Sequence, residues 1–276
     1  MQFFLKEILE STLADSLFFK VDNYYLKLVW QQSIMRYFIS NEGGSMEIIS
    51  VYGWWDLLLR WIHLLSGITW IGLLYYFNFV QGEWFKETDA SAKTAAVQKL
   101  VPRALWWFRW SAMFTFLAGA LTLISKGMKG WEIYATSWGV VILTGSALGT
   151  FMFLNVWLII WPKQQVVIAS TNQVAEGGEA LPDAAGCAAK AALASRTNTL
   201  FSIPMLLMMG AASHYPVGVT ESTSFSGLFW VLAIIIGVLE INAVIGKPGP
   251  MASVKGVIHS GLVLSVVLFG VILFLV

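Results

Sequence analysis

Long apolar runs, broken at a few places by polar side chains, set the pattern of this chain. Six runs reach or approach the roughly 20 apolar residues that a helix needs to cross a bilayer. They lie at about 54–80, 105–125, 134–161, 197–214, 225–246 and 255–276, and the fourth is the shortest. None shows the alternation of a barrel strand, so the pattern predicts an all-α polytopic membrane bundle of about six transmembrane helices. No repeat at a fixed period is evident. Two polar connections interrupt the apolar pattern. Residues 82–104 read QGEWFKETDASAKTAAVQKLVPR, and AAVQKLVPRALWWF is expected to begin as an interfacial helix and turn into the membrane at Pro102. Residues 162–196 begin PKQQ, pass through EGGEALPDAAG and end in an alanine-rich helical stretch.

Composition sharpens this. The chain is 57% hydrophobic and 12% charged, with a mean hydropathy of +0.70. Soluble domains carry about 25% charged residues, so the protein is integral to a membrane and the lipid bilayer is its first partner. A net charge of +1 gives no case for nucleic acid. The single cysteine, Cys187, allows no intrachain disulfide and no C-x-x-C-H haem attachment. Most of the 14 tryptophans suit membrane interfaces, where ring and N–H are both satisfied.

The connections after the first, third and fifth runs hold nine lysines and arginines, from Lys86 to Lys255; those after the second and fourth hold Lys126 and Lys129. The positive-inside rule puts the nine-residue side in the cytoplasm. Both ends of the membrane core then lie outside, in the periplasm if the cell is Gram-negative. Residues 1–45 do not fit this topology. They mix polar and aromatic residues without a signal-peptide pattern, and Met46 follows a glycine-rich GGS just before the first run. The expectation is a membrane domain at 46–276 and, at 1–45, either a real external extension or a start codon assigned too far upstream.

Ionisable groups within membrane helices are costly and face the bundle interior. In the first run Asp56, Arg60, His63, Gly67 and Trp70 follow steps of 4, 3, 4 and 3, which puts them on one helix face. Asp56 and Arg60 are spaced for an ion pair. The other two histidines are His214, ending the fourth run, and His259, near the start of the sixth. Two imidazoles from different helices can hold a b-type haem iron. His63 with His259 suits a mid-membrane haem, and His63 with His214 one nearer the outside. Arg109, Asn155, Arg196, Asn198 and Ser202 fall mostly toward the cytoplasmic half, with Glu240 and Asn242 in the fifth run. They read either as interhelical hydrogen bonds and snorkelling cations or as a pocket for a small anionic, amide-rich molecule. A carboxylate at Glu240 needs a partner, a proton or an ion.

Three blocks resemble a known family: LLLRWIHLLSGITWIGLLYYFNFV, then FMFLNVWLIIWPKQQVVI at 151–168, then ASRTNTLFSIPMLLMMGAASHYP at 194–216. Together they resemble the PuuD-type urate hydroxylases, whose membrane part is the urate oxidase N-terminal domain, over about 50–276. The resemblance implies a bacterial inner-membrane protein that oxidises urate to 5-hydroxyisourate and passes electrons to cytochrome c. Family members carry a C-terminal cytochrome c domain; this sequence ends after the sixth run without one, so a separate cytochrome c or respiratory-complex subunit is the implied acceptor. The first helix also looks like that of HemJ-type protoporphyrinogen oxidases and CopD-like proteins, which adds weight to haem b.

The reading is a membrane redox protein resembling urate hydroxylase. Arg60 and Glu240 are the catalytic candidates. Arg109, Asn155, Arg196 and Asn198 are those for binding the substrate. His63, His259 and His214 are those for the haem, with iron on His63 and His259. The alternatives are a non-catalytic haem-binding or anchor subunit of a respiratory or oxygenase complex, and a small-molecule transporter.

Overall fold

The structure, a computed structural model, describes residues 51–220 and 223–276. The chain divides into two compact units, Met1–Trp55 and Asp56–Val276. The readings made for residues 1–45 lie outside the described residues, and the architecture below is that of the second unit.

Six helical rods account for it: α1 (Gly53–Glu87), α2 (Ala90–Gly127), α3 (Ser137–Ala175), α4 (Ala184–His214), α5 (Phe225–Ile245) and α6 (Val254–Leu275). No strand occurs among the described residues. Five of the six, all but α4, are long and apolar enough to cross a membrane. The starts of four rods are fixed by side-chain caps from Asp89, Thr136, Ser224 and Ser253, each accepting a backbone N–H three residues on. Asp89 also accepts from the Ser91 hydroxyl, and the two bonds hold its carboxyl below the usual carboxylate range.

Length distinguishes the rods. At ~1.5 Å per residue, α5 and α6, with 21 and 22 residues, match a bilayer core of about 30 Å. The first three rods have 35, 38 and 39 residues and overshoot it. Asn155 of α3 is bonded to Glu240 of α5. From that level α5 has roughly 8 Å more to run, to Ile245, whereas α3 continues roughly 30 Å, to Ala175. The polar stretches 82–104 and 162–196 are therefore largely helical extensions beyond the bilayer, joined by tight connections at Thr88–Asp89 and around residues 176–183. This corrects the expected turn at Pro102. Pro102 directly follows the π-helical segment Ala96–Leu100, and α2 runs on through it.

The fourth run is the centre of the bundle. It extends from Ala184 to His214, well beyond the 197–214 its hydropathy indicated. It packs against α3, α5 and α6, with α1 touching it through Tyr76–Gln81. Its partners on α3 run antiparallel: Gly145 faces Met208, Gly149 faces Met205, and Asn155 reaches Asn198. The spacing G-x-x-x-G at 145–149 lets the α4 methionines approach the α3 backbone, as small residues do in membrane helix pairs. Gly261 of α6 does the same for Ile203. Over residues 197–202 α4 is enclosed by protein, and there it carries Thr197, Asn198, Thr199 and Ser202 fully buried.

Candidate functional site

Three of the long rods contain a π-helical segment, at Tyr76–Gln81, Ala96–Leu100 and Asn155–Ile160. Such segments widen the helix and re-aim side chains, often at functional sites. Asn155 opens the third and is 1% exposed. Its Nδ2 donates to Asn198 Oδ1 at 3.0 Å and to Glu240 Oε2 at 3.1 Å. Asn198, wholly buried, donates in turn to the Met152 carbonyl at 2.9 Å. One amide thus ties three helices together. Both amide hydrogens of Asn155 are used in this, so its carbonyl oxygen is what it retains for a ligand. With the Glu240 carboxylate alongside, the cluster is rich in acceptors and suited to the N–H edge of a small heterocycle. Glu240 itself is partly buried.

On the adjoining face of α4 the polar seam continues toward α1. Tyr75 hydroxyl and Ser202 hydroxyl are 2.9 Å apart, and buried Asn78 donates to Ser195 at 2.8 Å. Neither Tyr75, Asn78 nor Ser195 was singled out from sequence, although a polar residue at the end of a long apolar run was the available signal. Arg196 lies beside this seam with Nη2 3.9 Å from Glu83, and its Nη1 is buried without a hydrogen-bond partner. Of the expected substrate-binding residues, then, Asn155 meets both Glu240 and Asn198, while Arg196 stands on the α1 side of the same helix as Asn198.

Arg109 occupies a different environment. Its guanidinium lies 3.9 Å from the ring centre of Trp161, 4.9 Å from Trp157 and 5.4 Å from Trp110. Its Nε and the Trp157 indole N–H are both buried and without a hydrogen-bond partner. Cation–π attraction of this kind holds a guanidinium at a membrane boundary, and no contact joins Arg109 to the Asn155 cluster. Asn242 is structural: it exchanges hydrogen bonds with the Lys247 backbone and closes the end of α5.

Arg60 is exposed and paired with Asp56 at 2.7 Å. It lies near the opposite end of α1 from the cluster, and no contact brings it to Glu240. Farther along the same face, His63 and Gly67 turn to Thr115 of α2 and Trp70 is buried. His63 Nδ1 is 2.8 Å from the Thr115 carbonyl, a bond that the ring makes by donating. His214 is exposed at the end of α4, with Nδ1 2.9 Å from the Gly210 carbonyl. His259 is exposed on α6 in a groove against α4 and α5. No hydrogen bond joins these three histidines, and no group of three or more His, Cys, Asp or Glu able to hold a metal occurs among the described residues.

The His63 ring fits only because α2 has no side chain at Gly119, where a Cβ would lie 2.9 Å from His63 Cε1 and Nδ1. Gly119→Val is expected to push the ring off Thr115 and cost about 1–2 kcal/mol, the scale of a lost hydrogen bond with local overpacking. A thermal-unfolding comparison with Gly119→Ala, which should shift less, checks this.

No curated protein and no solved structure matches the chain. A family model described as urate oxidase N-terminal matches residues 130–246. The match spans α3, α4 and α5, and so takes in Asn155, Arg196, Asn198, His214 and Glu240; Arg60, His63, Arg109 and His259 fall outside it. Two of the three resembling blocks, 151–168 and 194–216, lie within it. The three helices that build the amide–carboxylate cluster are therefore the part of the chain that is similar to the urate oxidase N-terminal family.

Proposed function

We propose that the protein is a membrane oxidoreductase that binds urate, or a closely similar heterocyclic anion, at the Asn155–Asn198–Glu240 cluster and hydroxylates it. The observation that carries this reading is one carboxylate held by a buried amide on a π-helical segment, within the part of the chain that matches the urate oxidase N-terminal family. Urate presents ring N–H groups to acceptors, and its negative charge wants a cation. Asn155 and Glu240 provide the acceptors, and the unpartnered Nη1 of Arg196 is the nearest cation along α4. Hydroxylation adds water to a ring carbon, and Glu240 takes the proton as general base. The basic end of the bundle, where the cluster lies, faces the cytoplasm of a bacterial inner membrane by the positive-inside rule.

Two electrons must leave, and they pass to an electron carrier; a cytochrome c is the one the family resemblance implies. Haem b fits one residue here. With Nδ1 of His63 donating to Thr115, Nε2 presents a lone pair, the arrangement of a metal-ligating imidazole fixed by a backbone carbonyl. His63 would hold the iron, and the group would supply one-electron storage between substrate and acceptor. Neither His259 nor His214 is placed across from it by any contact.

The test is urate binding to the purified protein in nanodiscs, by equilibrium dialysis with labelled urate. Saturable binding is expected, weakened at least tenfold in Asn155→Leu, which keeps the volume and removes both donated bonds. Equal binding by wild type and variant would place the substrate elsewhere.

A further inference from the structure

A groove of about 360 Å³ opens between α4, α5 and α6, at the small end of the roughly 300–1,000 Å³ usual for small-molecule sites. Its polar and apolar parts are segregated. His259 and Ser260 stand at one end, about 8 Å into α6; Val263 and Val267 carry the wall on toward the middle of the bilayer. Leu200 and Leu239 close the other side. Leu200 is two residues from Asn198, and Leu239 adjoins Glu240. The groove and the amide–carboxylate cluster therefore share two helix walls at one depth.

We propose that this groove is the docking slot of a membrane quinone, which takes the two electrons released at the cluster. The assignment as electron acceptor rests on the oxidoreductase reading above; the assignment as a quinone site does not. The shape fits an amphiphile with a compact polar head near the boundary and an apolar tail along Val263 and Val267. The head is met by an imidazole and a hydroxyl, groups that hydrogen-bond a carbonyl. A phospholipid phosphate is instead matched by ammonium or guanidinium groups, and Lys255, a turn earlier and exposed, is not part of the lining. The stoichiometry closes. Water oxygen forms a bond to the urate ring carbon, two electrons leave the ring, and quinone takes them with the two protons released, leaving 5-hydroxyisourate and quinol. A cytochrome c would then be reduced downstream from quinol.

The experiment uses the full chain in phosphatidylcholine nanodiscs with a photoactivatable azido-benzoquinone of short tail, followed by peptide mapping. Labelling of α6 is expected at a few mole per cent of quinone, despite the excess of phospholipid. It should fall at least tenfold in Val263→Trp, which puts an indole at the groove wall, and stay unchanged in Val266→Trp, whose position is not part of the lining. Urate oxidation is measured in parallel with decyl-benzoquinone and with ferricyanide as acceptor, and Val263→Trp should lower the ratio of the first rate to the second at least tenfold. Absence of labelling, or labelling indifferent to Val263→Trp, would overturn the quinone site. Urate oxidation with ferricyanide but not with quinone would overturn the acceptor role. Labelling confined to the groove with no urate oxidation by either acceptor would overturn the urate reading and leave the quinone site supported.

Discussion

Glu240→Gln is expected to lower urate turnover by about 10²–10⁴-fold while leaving urate affinity within a few-fold of wild type, the signature of a lost general base. Glutamine is of nearly the same size, and its Oε1 can accept the bond that Asn155 Nδ2 now makes to the carboxylate at 3.1 Å. The three-helix tie is therefore kept and only the proton acceptor is removed. Single-turnover kinetics with an artificial acceptor, beside equilibrium binding, separate the two effects. A variant that turns over normally would reduce Glu240 to an anchor for the Asn155 amide. A variant that loses affinity and turnover together would show that the negative charge of Glu240 serves binding rather than proton transfer.

The second large effect is structural. Gly145→Leu should destabilise the bundle by about 1–3 kcal/mol and lower the yield of folded protein. A Cβ at Gly145 already meets Met208 Cβ at 3.0 Å and the Met205 carbonyl at 3.5 Å, and a leucine must place three more carbons there. Forcing α3 off α4 also separates Asn155 from Asn198, so residual folded protein should bind urate more weakly. Gly186→Leu is the control: nothing lies within 4 Å of a Cβ at that position of the same helix pair. Thermal unfolding followed by size-exclusion chromatography in detergent reads the difference, and equal stability of the two variants would show that the α3–α4 approach is not tight.

Much of the fold was legible because a bilayer demands long apolar helices, and five of the six runs satisfied that demand by hydropathy alone. The extent of α4 was not, since its polar residues face protein and so break the apolar pattern without ending the helix. The lengths of the rods beyond the membrane were hidden for a related reason: Lys93, Lys99 and Lys163 are as compatible with a solvated helix as with a loop. At the site, Asn155, Asn198 and Glu240 could be picked out as costly groups in apolar runs, but spacing within one helix says nothing of which neighbours they meet. That depended on three helices crossing at one level. Arg60 and Arg109 carried the same sequence signal and found other partners, an adjacent carboxylate and a set of indoles. The G-x-x-x-G at 145–149 was a readable sign of the α3–α4 contact, hidden among many glycines.

The burial of polar residues on α4 bears on how the chain is made. A segment enters the bilayer from the translocation channel when its own hydropathy favours lipid, and α4 is the rod that fails that criterion. It must be held until α3 is beside it or α5 has followed, and then partition as a pair or a trio. A nascent chain truncated just after His214 would leave α4 outside the lipid and open to modification from the basic side. Extending it through Ile245 should draw both helices in. Biogenesis of this protein would then be a cooperative step in which α4, Asn155 and Glu240 enter the membrane together.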